Sequence, residues 1–233
     1  MPCGLYGKLP MKRDFISVAV PPAFLDLWEP WLQGGITASR LALGPQWQDV
    51  FLRAPIWRFW LGSRLCGLPA MGSVMPSVDA VGRFFPLTAF ACGEAGSAFP
   101  SPERDRQEAW FSGIEALLLG ALDEDSVYEN TLEALDKLPA PQTAAAREGP
   151  AARDLFAARM VAIDAPGQLD GAFSALLADR ERRADEAGCF FWTVGGEGFP
   201  PAALFSTGLP DRNILTTFLS GKFSPSPALE SHA

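Results

Sequence analysis

Ser73-Val74-Met75-Pro76-Ser77-Val78-Asp79-Ala80-Val81-Gly82-Arg83-Phe84-Phe85-Pro86-Leu87-Thr88-Ala89-Phe90-Ala91 decides how this chain is read. Its two ends, Ser73–Met75 and Phe85–Ala91, are largely apolar and are expected to be strands. Ser77–Gly82 mixes small and charged residues between Pro76 and Pro86 and is expected to be a loop. Proline cannot donate to a ladder, so Pro86 is expected at a sheet edge or a strand start. Asp79 and Arg83 stand four apart beside Phe84 and Phe85. Charges among apolar residues must be paired or hydrogen-bonded. The two are therefore each other's partners or part of a recognition site.

Outward from this stretch, Gly4–Pro10 starts as a short strand, and Ile56–Leu61 is an aromatic-rich one. Side chains alternate along a strand, so Arg58 shares a face with Ile56 and Trp60. Pro21-Pro22 opens a helix whose Phe24, Leu27, Trp28, Trp31 and Leu32 form one stripe. Pro30 is expected to kink or break it before Trp31, and Gly44-Pro45 to end it. Trp110, Ile114, Leu117 and Leu118 mark a helix within Pro102–Asp123. Ser126-Val127-Tyr128-Glu129 fits a capping box for the next. In the C-terminal part, Arg159–Ile163 is a weak strand. Asp170 caps a helix with Phe173, Leu176 and Leu177 inward, and Asp179–Arg183 is a solvated charge run. Cys189–Val194 and Ala202–Phe205 are strands, and Asp211 caps a last helix.

Strands and helices alternate irregularly. The expected fold is α/β: a central mixed, largely antiparallel sheet sandwiched by helices (α/β/α) in a single compact domain. Residues 1–138 form its main region. Residues 139–153 are poor in large apolar side chains and are expected to be a mobile linker or loop. Residues 154–223 complete the same domain, and 224–233 are expected to be a disordered tail.

With 233 residues, 48% of them hydrophobic, the chain can bury a sizeable core. Its net charge of −8 repels phosphate backbones, which argues against nucleic-acid binding. No apolar run approaches the roughly 20 residues that span a bilayer, and Met1-Pro2-Cys3-Gly4 is no secretory leader. A cytoplasmic location without membrane insertion is expected.

Four dispersed cysteines and one histidine, His232, offer no clustered metal ligands. Nucleophilic catalysis lacks its usual base, and Gly195-Gly196-Glu197-Gly198 lacks the Lys-Ser/Thr of a phosphate loop. No cofactor is implied. A paired-carboxylate mechanism through Asp14 and Asp79 remains formally open. Lys8, Arg40, Arg58 and Arg83 stand out in an acidic chain, with Trp57 beside Arg58. Either they pair internally with Asp14, Asp49 and Asp79, or they form a basic pocket for a phosphate or a carboxylate-rich partner loop.

Gly4-Leu5-Tyr6-Gly7-Lys8-Leu9-Pro10, Asp14-Phe15, Ser39-Arg40, Ala54-Pro55-Ile56-Trp57-Arg58-Phe59 and Pro76-Ser77-Val78-Asp79 occur in the order and spacing of the TagF family, which this chain resembles. Phe191-Trp192-Thr193 and Gly208-Leu209-Pro210 are similar to that family's more variable C-terminal part. One departure is Arg13, where the family usually has glycine. The resemblance implies a non-enzymatic, post-translational repressor of bacterial type VI secretion. It also implies a forkhead-associated (Fha) scaffold as partner and a functional link to the PppA phosphatase. It places Lys8, Asp14, Arg40, Trp57, Arg58, Ser77, Asp79 and Arg83 in the binding motifs. A small-molecule or phosphate sensor, or a cryptic hydrolase, is the alternative.

Overall fold

The computed structural model describes residues 3–123, 125–144, 152–155, 158–161 and 169–223. Along them run β1 (Cys3–Gly7), β2 (Ile16–Val18), α1 (Pro22–Leu43), α2 (Trp47–Arg53), β3 (Trp57–Leu61), β4 (Ala70–Met75) and β5 (Leu87–Cys92). Then come α3 (Glu108–Gly120), α4 (Tyr128–Lys137), β6 (Arg153–Leu155), β7 (Ala158–Met160), α5 (Leu169–Ala187), β8 (Gly188–Thr193), β9 (Ala202–Thr207) and α6 (Ile214–Ser220).

The Ser73–Ala91 stretch forms the β4–β5 pair, with Met75 opposite Leu87 and Ser73 opposite Ala89. Pro86 sits just before β5, where its missing donor costs no ladder bond. The main sheet has the order β2-β1-β5-β4-β3-β8-β9, and each pairing in it is antiparallel. Because β8 pairs with β3, with Arg58 opposite Trp192, the C-terminal part completes the N-terminal sheet in one compact domain. β6 and β7 form a separate hairpin.

Alternation along the strands sends side chains into two cores. Trp57, Phe59 and Phe191 point into the layer of α1, α2 and α6, where they meet Phe24, Trp28, Trp31 and Phe218. Trp60, Met71 and Ala89 point the other way, onto Trp110, Phe111, Ile114 and Leu118 of α3. Helices therefore cover both faces, which is the α/β/α arrangement.

Several local expectations are corrected. α1 runs unbroken through Pro30. A helix-interior proline costs about 3 kcal/mol. Each large apolar side chain that α1 buries on either side of it, Phe24, Trp28, Trp31 and Leu32 among them, returns about 1.5–3 kcal/mol. Ser126 makes no capping bond; Val127 occupies the cap of α4. On α5, Phe173 and Leu177 are exposed, while Ala172 and Asp179 are buried. Asp179 is thus not part of a solvated run: its carboxylate accepts from Arg159 and Arg182. Residues 139–144 are held in place rather than loose. The Pro139 carbonyl accepts from Trp110 Nε1 at 3.0 Å. Gln142 and Gln107 exchange two hydrogen bonds, of 2.7 and 3.0 Å. Residues 145–151 and the tail 224–233 lie outside the described residues.

Candidate functional site

Asp79 is the centre of the best-defined polar site. Gly7 ends β1 with φ at +134°, and a Cβ there would meet the Pro86 carbonyl at 2.1 Å. Only glycine lets the chain pass this close to Pro86, and the turn delivers Lys8 to the interior. The Lys8 carbonyl accepts from Ser77 Oγ at 2.7 Å, and Lys8 Nζ donates to Asp79 Oδ2. Arg83 Nε donates to the same oxygen at 2.6 Å. The Val81 and Arg83 amides donate to Oδ1 at 3.0 and 2.8 Å. Gly82, with φ at +82°, lets the loop turn back on itself, and its amide donates to the Asp79 carbonyl. Burial pushes the Asp79 carboxyl up, but these donors outweigh it, Lys8 foremost, and hold it well below the usual carboxylate range. A carboxylate offers about four acceptor positions, and Lys8, Arg83 and two amides occupy them.

This loop is also fastened to the β1–β2 connection. The Ala80 amide donates to the Lys12 carbonyl at 3.0 Å, and Arg83 Nη2 donates to the Arg13 carbonyl. Phe15 rests edge-on against Phe85, with ring centroids 4.8 Å apart, and Lys8 Nζ lies 4.6 Å from the centre of its ring. Arg13 keeps an ordinary backbone conformation, so this turn does not require the glycine's freedom.

Arg58 belongs to a different cluster. From β3 it reaches α3, where its Nε and Nη2 donate to the two Glu115 oxygens at 2.6 and 3.0 Å. Its Nη1 contacts both Glu108 oxygens at 2.8 Å, and the guanidinium lies 5.1 Å from the Phe111 ring centre. Glu108 and Glu115 are seven residues apart, two helical turns, and so share one face of α3. Beyond this strut a groove of about 740 Å³ opens along β8 and β9, lined by Arg106, Phe190, Trp192 and Phe205 among others.

The remaining motif residues are elsewhere. Arg40 is exposed and lies over the Trp47 ring at 4.3 Å. Trp57 is buried, stacks on Phe218 at 4.0 Å and donates from Nε1 to the Phe218 carbonyl. Asp14 is exposed and pairs with none of the motif cations among the described residues. The structure therefore brings together Lys8, Ser77, Asp79 and Arg83, and does not gather Arg40, Arg58, Trp57 or Asp14 into that cluster. Of the three acids proposed as internal partners, only Asp79 pairs with motif cations. Around the clamp lie the half-buried Lys12 and the exposed Arg13, Phe15 and Val81; Lys12 and Val81 belong to none of the site residues expected from the sequence. No group of His, Cys, Asp or Glu among the described residues could hold a metal ion. No helix among them is long and apolar enough to cross a membrane.

Residues 4–138 match the family described as TagF N-terminal domain, type VI secretion system-associated. No curated protein matches the chain. Among solved structures, the crystal structure of PA0076 from Pseudomonas aeruginosa PAO1 is similar: 30% identical, with a TM-score of 0.78 and 97% of each chain covered. The family match covers more than half of the chain and contains the Asp79 clamp, so this chain belongs to the TagF family of type VI secretion system-associated proteins.

Proposed function

We propose that the chain is a non-catalytic, cytoplasmic repressor that silences type VI secretion after translation by binding a component of the system, such as its Fha-type scaffold. Sequestration is the physical mechanism: the bound repressor covers a scaffold surface that assembly needs. It acts beside the threonine-phosphorylation pathway that the PppA phosphatase controls. Family membership supports the link to secretion. The observation that carries the binding reading is the state of Asp79. Its acceptor positions are taken by Lys8, Arg83 and two backbone amides. A carboxylate so occupied has no free position for a substrate proton, and it serves instead to fix two loops at the surface. The sensor alternative loses its pocket of four motif cations, because Arg40 and Arg58 lie apart from the Asp79 clamp with partners of their own. The net charge of −8 disfavours nucleic acid as the target.

Overproduction of the chain in a bacterium with an active cognate system tests the reading. Secretion of the system's effectors should stop while the amounts of its structural proteins stay constant, and the purified chain should capture the Fha-type scaffold. Secretion at the full rate, or silencing that depends on a measurable turnover, would refute it.

A further inference from the structure

Around the Asp79 clamp, the loops of residues 9–15 and 77–84 present a surface of distinct chemistry. Phe15 is 47% exposed although its ring is held by Tyr6 and Phe85. Val81 is 55% exposed at the tip of the neighbouring loop. The two apolar side chains are flanked by Lys12, Arg13 and Arg83. The Lys12 ammonium lies 4.0 Å over the Tyr128 ring and has no carboxylate partner among the described residues. The Arg13 side chain is exposed and makes no ion pair among the described residues. Arg83 has a side chain 57% exposed. Of its five N–H groups, Nε–H goes to Asp79 and one on Nη2 to the Arg13 carbonyl, and the rest meet no acceptor among the described residues. The acids at hand are Asp79, which already takes Lys8 and Arg83, Asp14 in the same loop, and Glu29 beside Tyr6; Lys8, Lys12, Arg13 and Arg83 outnumber these three.

We infer that this surface is the docking site for an acidic protein segment that carries apolar residues between its carboxylates. The inference rests on the binding reading above and names the chemistry of its partner. Charge carries the argument. Lys12 and Arg13, with the excess of Lys8 and Arg83 over Asp79, make a local field opposite in sign to that of a chain of net charge −8. Such a field attracts and orients an acidic segment and repels basic ones. Phe15 supplies the anchor: a rigid aromatic, already seated, loses little entropy when it is covered. Arginine forks hold carboxylates in two-pronged geometry, which suits Arg13 and Arg83. A membrane fits less well, because the bulk of the acidic molecule would be repelled by anionic headgroups.

The test measures binding of the full chain to the purified Fha-type scaffold. The variant K12E/R13E reverses one half-buried and one exposed charge and leaves the Arg13 carbonyl that receives Arg83. It should weaken binding by about tenfold or more, as rim charges do mainly through association rate. The control variant R53E/K222E makes the same total charge change at two exposed positions elsewhere and should bind like the wild type. Wild-type binding should also fall steeply between about 50 and about 500 mM salt, a measurement that needs no variant to fold. Equal affinities for the wild type and K12E/R13E, or salt-independent binding, would overturn the docking surface while the binding reading stands. Failure of the wild type to bind the scaffold at any salt would remove both. Binding to phosphatidylglycerol vesicles that K12E/R13E abolishes, with scaffold affinity unchanged, would reassign the surface to lipid.

Discussion

Replacing Arg58 with methionine separates the two charged clusters by experiment. Arg58 is 3% exposed, and Glu115 is 16% exposed, so their two-pronged contact is largely shielded from water. A hydrogen-bonded contact between charged groups contributes about 1.5–3 kcal/mol. Glu108 is 59% exposed, and its ion pair adds only about 0–1 kcal/mol. Methionine recovers part of the packing of the arginine stem, so the net loss should be about 2–3 kcal/mol, most of it from the unpaired Glu115. In a chain of this size each kcal/mol lowers Tm by about 2–4 °C, which gives a drop of about 4–12 °C. Arg58→Lys should fall between, because a single ammonium cannot hold both carboxylates in fork geometry. Thermal melts of Arg58→Met, Glu115→Gln and the double variant form a cycle with an expected coupling of about 1–2 kcal/mol. Scaffold affinity of Arg58→Met should equal that of the wild type, because its partners are all internal. A melt within about 1 °C of the wild type would show that the strut contributes nothing. Lost affinity with an unchanged melt would show that Arg58 faces the partner after all.

Asp79→Asn should melt below the wild type at neutral pH and should flatten the acid limb of stability. The folded Asp79 carboxyl is held below its ordinary value. Its contribution is therefore complete above the unfolded value of about 3.9 and is lost as pH falls below it. Tm followed from pH 7 down to about pH 3 checks this; parallel curves for the two proteins would contradict it. Asp179, held low by Arg159 and then Arg182, adds a second contribution in the same window, so Asp79→Asn should not remove the whole acid limb. Burial pushes the Cys189 and Cys92 thiols up to about 12, and Ser206 only partly opposes this at Cys189. Both should resist iodoacetamide at pH 8 in the folded protein, and rapid labelling detected by mass spectrometry would show that these strands open. Gly7→Ala should fail to fold or melt far lower, because its Cβ would overlap the Pro86 carbonyl; a normal melt would deny that close approach.

What the sequence revealed depended on distance along the chain. Asp79 and Arg83 are four apart in one short loop, and that spacing puts mutual pairing among the two readings open to them. Lys8 is 71 residues from Asp79, and no periodicity connects them; only the β1–β5 pairing puts them in reach. The sequence offers Asp14, Asp49 and Asp79 as partners for Arg58, whereas its partners Glu108 and Glu115 lie on α3 and look in sequence like ordinary solvated helix acids. The strands and the two-sided helix cover were legible because apolar alternation and helical stripes report burial directly. α5 misled for the same reason: Phe173 and Leu177 keep helical spacing yet face solvent, because this helix buries Asp179 with its arginines instead. Lys12 and Val81 gave no signal at all, since side chains in a loop have no periodic pattern to obey.

A buried carboxylate that touches no partner can still govern binding. Without the Lys8, Arg83 and amide bonds to Asp79, the 77–84 loop would sample many conformations, and a partner would have to order it. Fixing one backbone residue costs about 1–2 kcal/mol. Even partial loosening of a few residues therefore rivals the energy of a surface contact, and a loop fixed in advance binds more tightly with no added contact. Two kinds of substitution should then weaken scaffold binding by different routes. Reversing Lys12 and Arg13 removes attraction, so the loss should shrink as salt rises and should appear mainly in the association rate. Asp79→Asn leaves the surface cations in place and frees the loop, so its loss should persist at high salt and should come with faster amide exchange at Val81 and Arg83. Identical salt profiles for the two variants would mean that Asp79 acts through charge, and that its clamp does not preorganise the loops.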